Sequence, residues 1–393
     1  MQQNVIFLIL DFIGFILLLK WCKHQYQAYI SIPKKSDFFT FKRFKYVGIL
    51  FLVVLIPLLL VNYTSIENTL HIPLKHIKTY TVFYALLISF SISLVWLLYI
   101  LKLDIYNKEK KRHLAIIIIL AIVSTLFANF WYHLFHSFGI ENSKLPLPSF
   151  LYSVFVIGLI EETVKFVPFL LVLKFTKAIN EPYDYLLYAA TSALSFAFVE
   201  NAMYISNYGI TVTTARAIYA TVAHMTFSCV IAYGLFLIKY KKTKYPSYLV
   251  FPLFYLLAIS SHGFYDFWLI NDAVSNYNGI TTIFFLITIH IWFVMKNNTI
   301  NSSNFYNKNI RLNNDKLKVY LMISLLSIFM FSYVYVALVY NQTQANKLFR
   351  ESVFTYGYII FYLIATLSNY TIVKGLINPI KVRLKILFFK FRK

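Results

Sequence analysis

Apolar positions run along this chain in long blocks and do not alternate with polar ones. Eleven blocks approach or exceed the ~20 residues with which an α-helix crosses a bilayer core. They cover 4–20, 46–62, 80–101, 114–135, 150–173, 184–206, 216–238, 248–270, 278–295, 319–340 and 354–376. Membrane β-strands would be shorter and would alternate, so each block predicts a helix. The expected fold is all-α, a polytopic transmembrane bundle of about 11 spans. The longest connections, 21–45, 63–79, 296–318 and 341–353, are too short to bury a core of their own. By character the chain divides into a four-helix section at 1–149, a four-helix core at 150–272, and a three-helix section with a basic tail at 273–393.

Composition sharpens the class. Hydrophobic residues make up 59% of the chain and charged residues 13%. The net charge of +22 could suggest a nucleic-acid partner, but the basic residues follow alternate loops. The 21–45 loop holds Lys23, Lys34, Lys35, Lys42, Arg43 and Lys45, and the 102–113 loop holds Lys102, Lys108, Lys110, Lys111 and Arg112, whereas 271–277 holds none. The positive-inside rule then places the N-terminus outside and the C-terminus in the cytoplasm of a cell membrane. Basic loops and tail suit anionic headgroups, and nucleic acid is excluded as a partner. Residues 1–20 lack a basic n-region, so no cleaved signal is expected there. Asp11, alone in its block, reads as topogenic, and Cys22 and Cys229 lie in different surroundings, so no disulfide is expected.

Four consecutive blocks break the apolar pattern. They contain GLIEETVKF (158–166), SFAFVENAMY (195–204), ATVAHMTFS (220–228) and SHGFYDFW (261–268). A charge near the bilayer centre costs roughly 2.5–3.5 kcal/mol on insertion scales, so intramembrane ionisable groups point to a functional site. The candidates are Glu161, Glu162, Lys165, Glu200, His224, His262 and Asp266, with Asn201 and Phe196 in support. At about 1.5 Å per residue they fall at one depth, in the middle to outer half of the membrane. Glu161 precedes Lys165 by four residues, the order that pairs along a helix face. His262 and Asp266 share the same spacing, so the carboxylate can orient the ring.

These residues point to hydrolysis by a water that a carboxylate activates. No Ser-His-Asp or Cys-His arrangement competes, since Cys229 lies far round the helix from His224. In one version His224 and His262, with Glu200 or Asp266, bind Zn²⁺ and Glu161 is the base. In the other, no metal is used and a histidine stabilises the oxyanion and protonates the leaving amine. A secondary transporter or proton-coupled pathway is the alternative, since the same groups serve proton relays. A membrane-bound acyltransferase also fits an intramembrane His, but leaves the double Glu unexplained.

The four motifs resemble those of the PrsW family of bacterial intramembrane proteases, which belongs with the CAAX-processing and bacteriocin-processing membrane proteases. Its marks are EExxK, FxxxEN, a single His, and HGxxD on successive helices. Here they stand as Glu161 to Lys165, Phe196 to Asn201, His224, and His262 to Asp266. Asp184 and Arg216 are similar to further family features. The resemblance covers about 150–272 and implies an endopeptidase acting on a membrane-anchored protein, such as an anti-sigma factor, near the outer side.

Overall fold

A computed structural model describes residues 79–310 and 313–378. The blocks at 4–20 and 46–62, with Asp11, Cys22 and the basic 21–45 loop, lie outside the described residues, as does the end of the tail. The described part is helical, with no strand. We number its long helices α1 (Thr79–Leu103), α2 (Lys111–Ser137), α3 (146–175), α4 (Pro182–Tyr208), α5 (Ile210–Lys239), α6 (Ser247–Ile270), α7 (Gly279–Asn301), α8 (Asn314–Val339) and α9 (Gln342–Leu367). All of these helices except α3 and α4 are long and apolar enough to span a membrane, so the protein is a multi-pass membrane protein.

The two exceptions carry the glutamates. Residues Pro182–Ala197 of α4 are all buried, against α1 on one side and α5 on another. A helix enclosed by other helices presents little surface to lipid and can hold polar residues that a lipid-facing helix cannot. Residues 126–137, at the end of α2, belong to one compact unit, and residues 79–125 and 138–378 to a second. All the candidate residues at 161–266 belong to the second unit.

Local sequence sets the element ends. α4 opens on Pro182 behind Glu181 and Asp184, whose side chains cap each other's backbone N–H groups. It closes on Gly209, whose φ of 79° turns the chain straight into α5. α9 begins well before the apolar block at 354–376, because the Asn341 side chain accepts from the Gln344 N–H and starts the helix in a polar stretch. It stops at Leu367, where the Lys296 ammonium takes the carbonyls of Leu367 and Asn369. α7 likewise outruns its block at 278–295. The polar run Asn297–Asn301 stays helical and buried because residues 373–378 return to pair with it, through Asn298 to Asn378 and Asn301 to Val373.

α3 and α5 are not regular. α3 is π-helical over Ser153–Gly158, and α5 over Arg216–Ala220. Each wide turn lies one turn or less before a residue of the site and rotates the rest of its helix relative to a straight one. Beside the first, Gly158 and Gly263 let α3 and α6 meet backbone to backbone. A Cβ on Gly263 would fall 2.4 Å from the Val154 Cα, and one on Gly158 would fall 2.5 Å from the Ile259 carbonyl oxygen.

Candidate active site

The site is assembled around one ammonium. Lys165 is buried on α3 and its Nζ lies 3.1 Å from Glu161 Oε2, 3.0 Å from Glu162 Oε1 and 2.7 Å from His224 Nδ1. A lysine has three N–H donors, and these three acceptors use them all. The face of Phe196 lies 4.5 Å from the same nitrogen. Glu161 and Glu162 point about 100° apart on the helix, yet the long lysine side chain reaches both. Lys165 therefore holds Glu162 as well as Glu161, the partner that its spacing predicted.

The acceptance at Nδ1 fixes the tautomer of His224, so its Nε2–H donates to Glu200 Oε2 at 2.6 Å. Glu200 is held in turn by Arg216 Nη2 at 2.7 Å. Arg216 Nε donates to Asn201, and Asn201 donates to Thr221. Across the site, His262 Nδ1 lies 2.8 Å from Glu162 Oε1, and the Ser228 hydroxyl donates to the other Glu162 oxygen. Both Glu162 oxygens are therefore occupied. The opposite nitrogen, His262 Nε2, faces Asp266 Oδ2 at 3.3 Å and Glu161 Oε2 at 3.5 Å. The His224 and His262 ring centres are 5.1 Å apart.

Every candidate named from the sequence thus enters one network, and the helices bring together α3, α4, α5 and α6. Glu200 sits behind His224 and Glu162 behind His262, Asp266 flanks His262 Nε2, and Glu161 is the carboxylate that joins both imidazoles. Glu161, His224 and His262 can offer one donor atom each, all within 4.8 Å of one another. Ligands placed tetrahedrally at zinc's usual 2.0–2.1 Å lie roughly 3.3 Å apart. The His262–Glu161 separation of 3.5 Å and the His224–Glu161 separation of 3.9 Å are near that spacing. Four carboxylates here face two permanent cations, Lys165 and Arg216, so a dication also fits the charge balance. The donor set, two nitrogens and an oxygen, is of a kind that catalytic zinc uses.

Exposure is graded across the site. The Lys165 and Glu162 side chains are fully buried, while those of Glu200 and Asp266 are 18% and 22% accessible. Access therefore comes from the end of the bundle where α4 and α6 finish and α5 starts.

Sequence reasoning missed Ser228, Thr221, Ser192 and Tyr204. Ser192 donates to the Lys165 carbonyl, and the Tyr204 ring lies 4.3 Å from the Arg216 guanidinium. Serines and threonines are ordinary in membrane helices, so residue type alone did not single these out. Spacing left a trace of three of them: Thr221 and Ser228 stand three before and four after His224, and Tyr204 four after Glu200, each on the same helix face.

Comparison with known proteins gives a consistent result. Residues 109–295 match the family described as PrsW family intramembrane metalloprotease. The chain is 30% identical over 183 residues to a Protease PrsW of Clostridioides difficile, covering 44% of this chain and 74% of that protein. It is 30% identical over 149 residues to a Protease PrsW of Oceanobacillus iheyensis, covering 37% of this chain and 64% of that one. A Protease PrsW of Shouchella clausii is 27% identical over 172 residues, 43% of this chain and 75% of that one. No solved structure matches the chain.

Proposed function

The chain belongs to the PrsW family, and we propose that it is an intramembrane endopeptidase whose reacting centre is Glu161, His224 and His262. The observation that carries this reading is the convergence of those three buried side chains from α3, α5 and α6, with one donor atom of each within 4.8 Å of the others. Gradient-driven transport is not favoured by that membership.

In the proposed reaction Glu161 takes the proton of the attacking water, since it faces both imidazoles at the centre. Glu162, locked by Lys165, Ser228 and His262, fixes the His262 ring so that Nε2 points into the site. His262 Nε2 then protonates the departing amine, with Asp266 stabilising the imidazolium. Glu200 fixes the ring of His224 in the same way, and Arg216 fixes Glu200. Hydrophobic helices around the centre keep bulk water out and strengthen each electrostatic contact.

Zn²⁺ on the same three donors is the alternative to this proton chemistry: it would occupy Glu161 and His262 Nε2 and would itself lower the pKa of a water and polarise the scissile carbonyl. Lys165 would then keep Glu162 and release Glu161 and His224. The substrate is proposed to be a membrane-anchored regulator, of the anti-sigma factor type, cut near the outer half of a bacterial cell membrane. Metal analysis of the purified protein tests the zinc assignment. About one zinc per chain is expected in the wild type and none in His224→Ala, and equal zinc in both overturns it.

A further inference from the structure

A second group of acids lies at the other end of α4. Asp104 follows α1, and Glu181 and Asp184 begin α4, and one oxygen of each lies within 4.8 Å of the others. Asp184 and Glu200 are sixteen residues apart on α4, about 24 Å along the axis, so this group is separate from the reacting centre. All three are buried, Asp104 to 2% exposure and Asp184 to 0%.

Part of this arrangement is a helix start. Asp184 Oδ2 accepts from the N–H groups of Asn180 and Glu181, and Glu181 caps in return while also accepting from the Ser303 hydroxyl. Capping does not explain Asp104, which comes from a different segment and holds only the Glu109 N–H at its Oδ2. Nor does it explain two buried oxygens, Asp104 Oδ1 and Asp184 Oδ1, that have no hydrogen-bond partner. The nearby Tyr106 hydroxyl is buried and unpartnered as well. Among the described residues no lysine or arginine forms an ion pair with these acids, and Lys108 acts on Asp104 only at a distance. Three buried carboxylates without a counter-charge cost several kcal/mol each.

We propose that Asp104, Glu181 and Asp184 bind one divalent cation of hard, oxygen-seeking character, of the size of Ca²⁺ or Mn²⁺. An all-oxygen set selects such an ion over zinc or copper. Oxygens bound at about 2.3–2.6 Å can lie up to roughly 5 Å apart across the ion, which these positions satisfy. The cation joins the connection after α1, the start of α4 and, through Ser303, the end of α7. It clamps these three segments at the face opposite the opening of the reacting centre.

The test is Mn²⁺ titration of the full-length protein in detergent, followed by electron paramagnetic resonance and thermal unfolding. A His224→Ala background removes a donor from the reacting centre, so ions counted there belong to the second group. One saturable Mn²⁺ is expected in that background, displaced by Ca²⁺, with a Tm several degrees higher when it is bound. Asp104→Asn, which leaves the α4 cap intact, should weaken binding at least about tenfold, as loss of one charged ligand does. Asp184→Asn should do the same if it folds. No saturable Mn²⁺ in the His224→Ala protein, or unchanged binding in Asp104→Asn, overturns the proposal and leaves the acids held by shared protons.

Discussion

At the residue scale, the centre is a set of buried charges that are stable only together. Lys165 holds two carboxylates and one imidazole, so removing it leaves Glu161 and Glu162 facing each other without compensation. Stranding a buried charge in this way costs about 3–5 kcal/mol. Lys165→Met should therefore lower the Tm of the detergent-solubilised protein strongly. Lys165→Met combined with Glu162→Gln should recover most of that loss and remain inactive. If Lys165→Met is as stable as wild type, the shared pairing is wrong. Glu161→Gln should lower cleavage by about 10²–10⁴-fold, the range for loss of a general base. Arg216→Gln acts through Glu200 and then His224, so a smaller fall of about 10–100-fold is expected, typical of a group behind a ligand. Arg216→Lys restores the charge without the second contact to Asn201 and should recover activity in part.

At the element scale, the positions of the four helices depend on glycine and on π turns. Gly263 stands next to His262 and brings α6 onto α3 at Val154, which places His262 Nδ1 against Glu162. Gly263→Ala forces the two helices apart. Overpacking of that sort costs about 1–3 kcal/mol, and the His262–Glu162 contact should be lost with it. The expected result is a folded protein of reduced Tm with cleavage close to that of His262→Ala, and full activity would contradict it. Much of this level was legible in the sequence. The polar residues of four apolar blocks named the buried cluster, and helical spacing paired Glu161 with Lys165 and His262 with Asp266. Spacing along one helix could not show that Lys165 also reaches His224, or that Glu200 leans on Arg216, because those contacts join different helices. Hydrophobic runs also misplaced α9 and the end of α7. There, Asn caps and pairing between polar segments extend helices beyond the apolar blocks.

At the scale of the whole molecule, the graded exposure from Lys165 to Glu200 and Asp266 marks one end of the site as the more accessible among the described residues. We propose from the basic loops that this end is outside, which labelling can check. With Cys22 and Cys229 replaced, Ser275→Cys in the turn after α6 should react with a membrane-impermeant maleimide in intact cells. Lys241→Cys, after α5, should react only once the membrane is permeabilised. The reverse pattern would turn the protein over and place the opening in the cytoplasm. The central claim is that this opening leads a membrane-anchored protein to Glu161 for hydrolysis. Its most direct test is a comparison of protein N-termini in membranes from cells making the wild type or Glu161→Gln. New N-termini within or beside a transmembrane segment of some membrane protein, in wild-type cells alone, are the predicted result. Identical sets of N-termini in the two strains, with both proteins inserted at equal levels, would contradict the account.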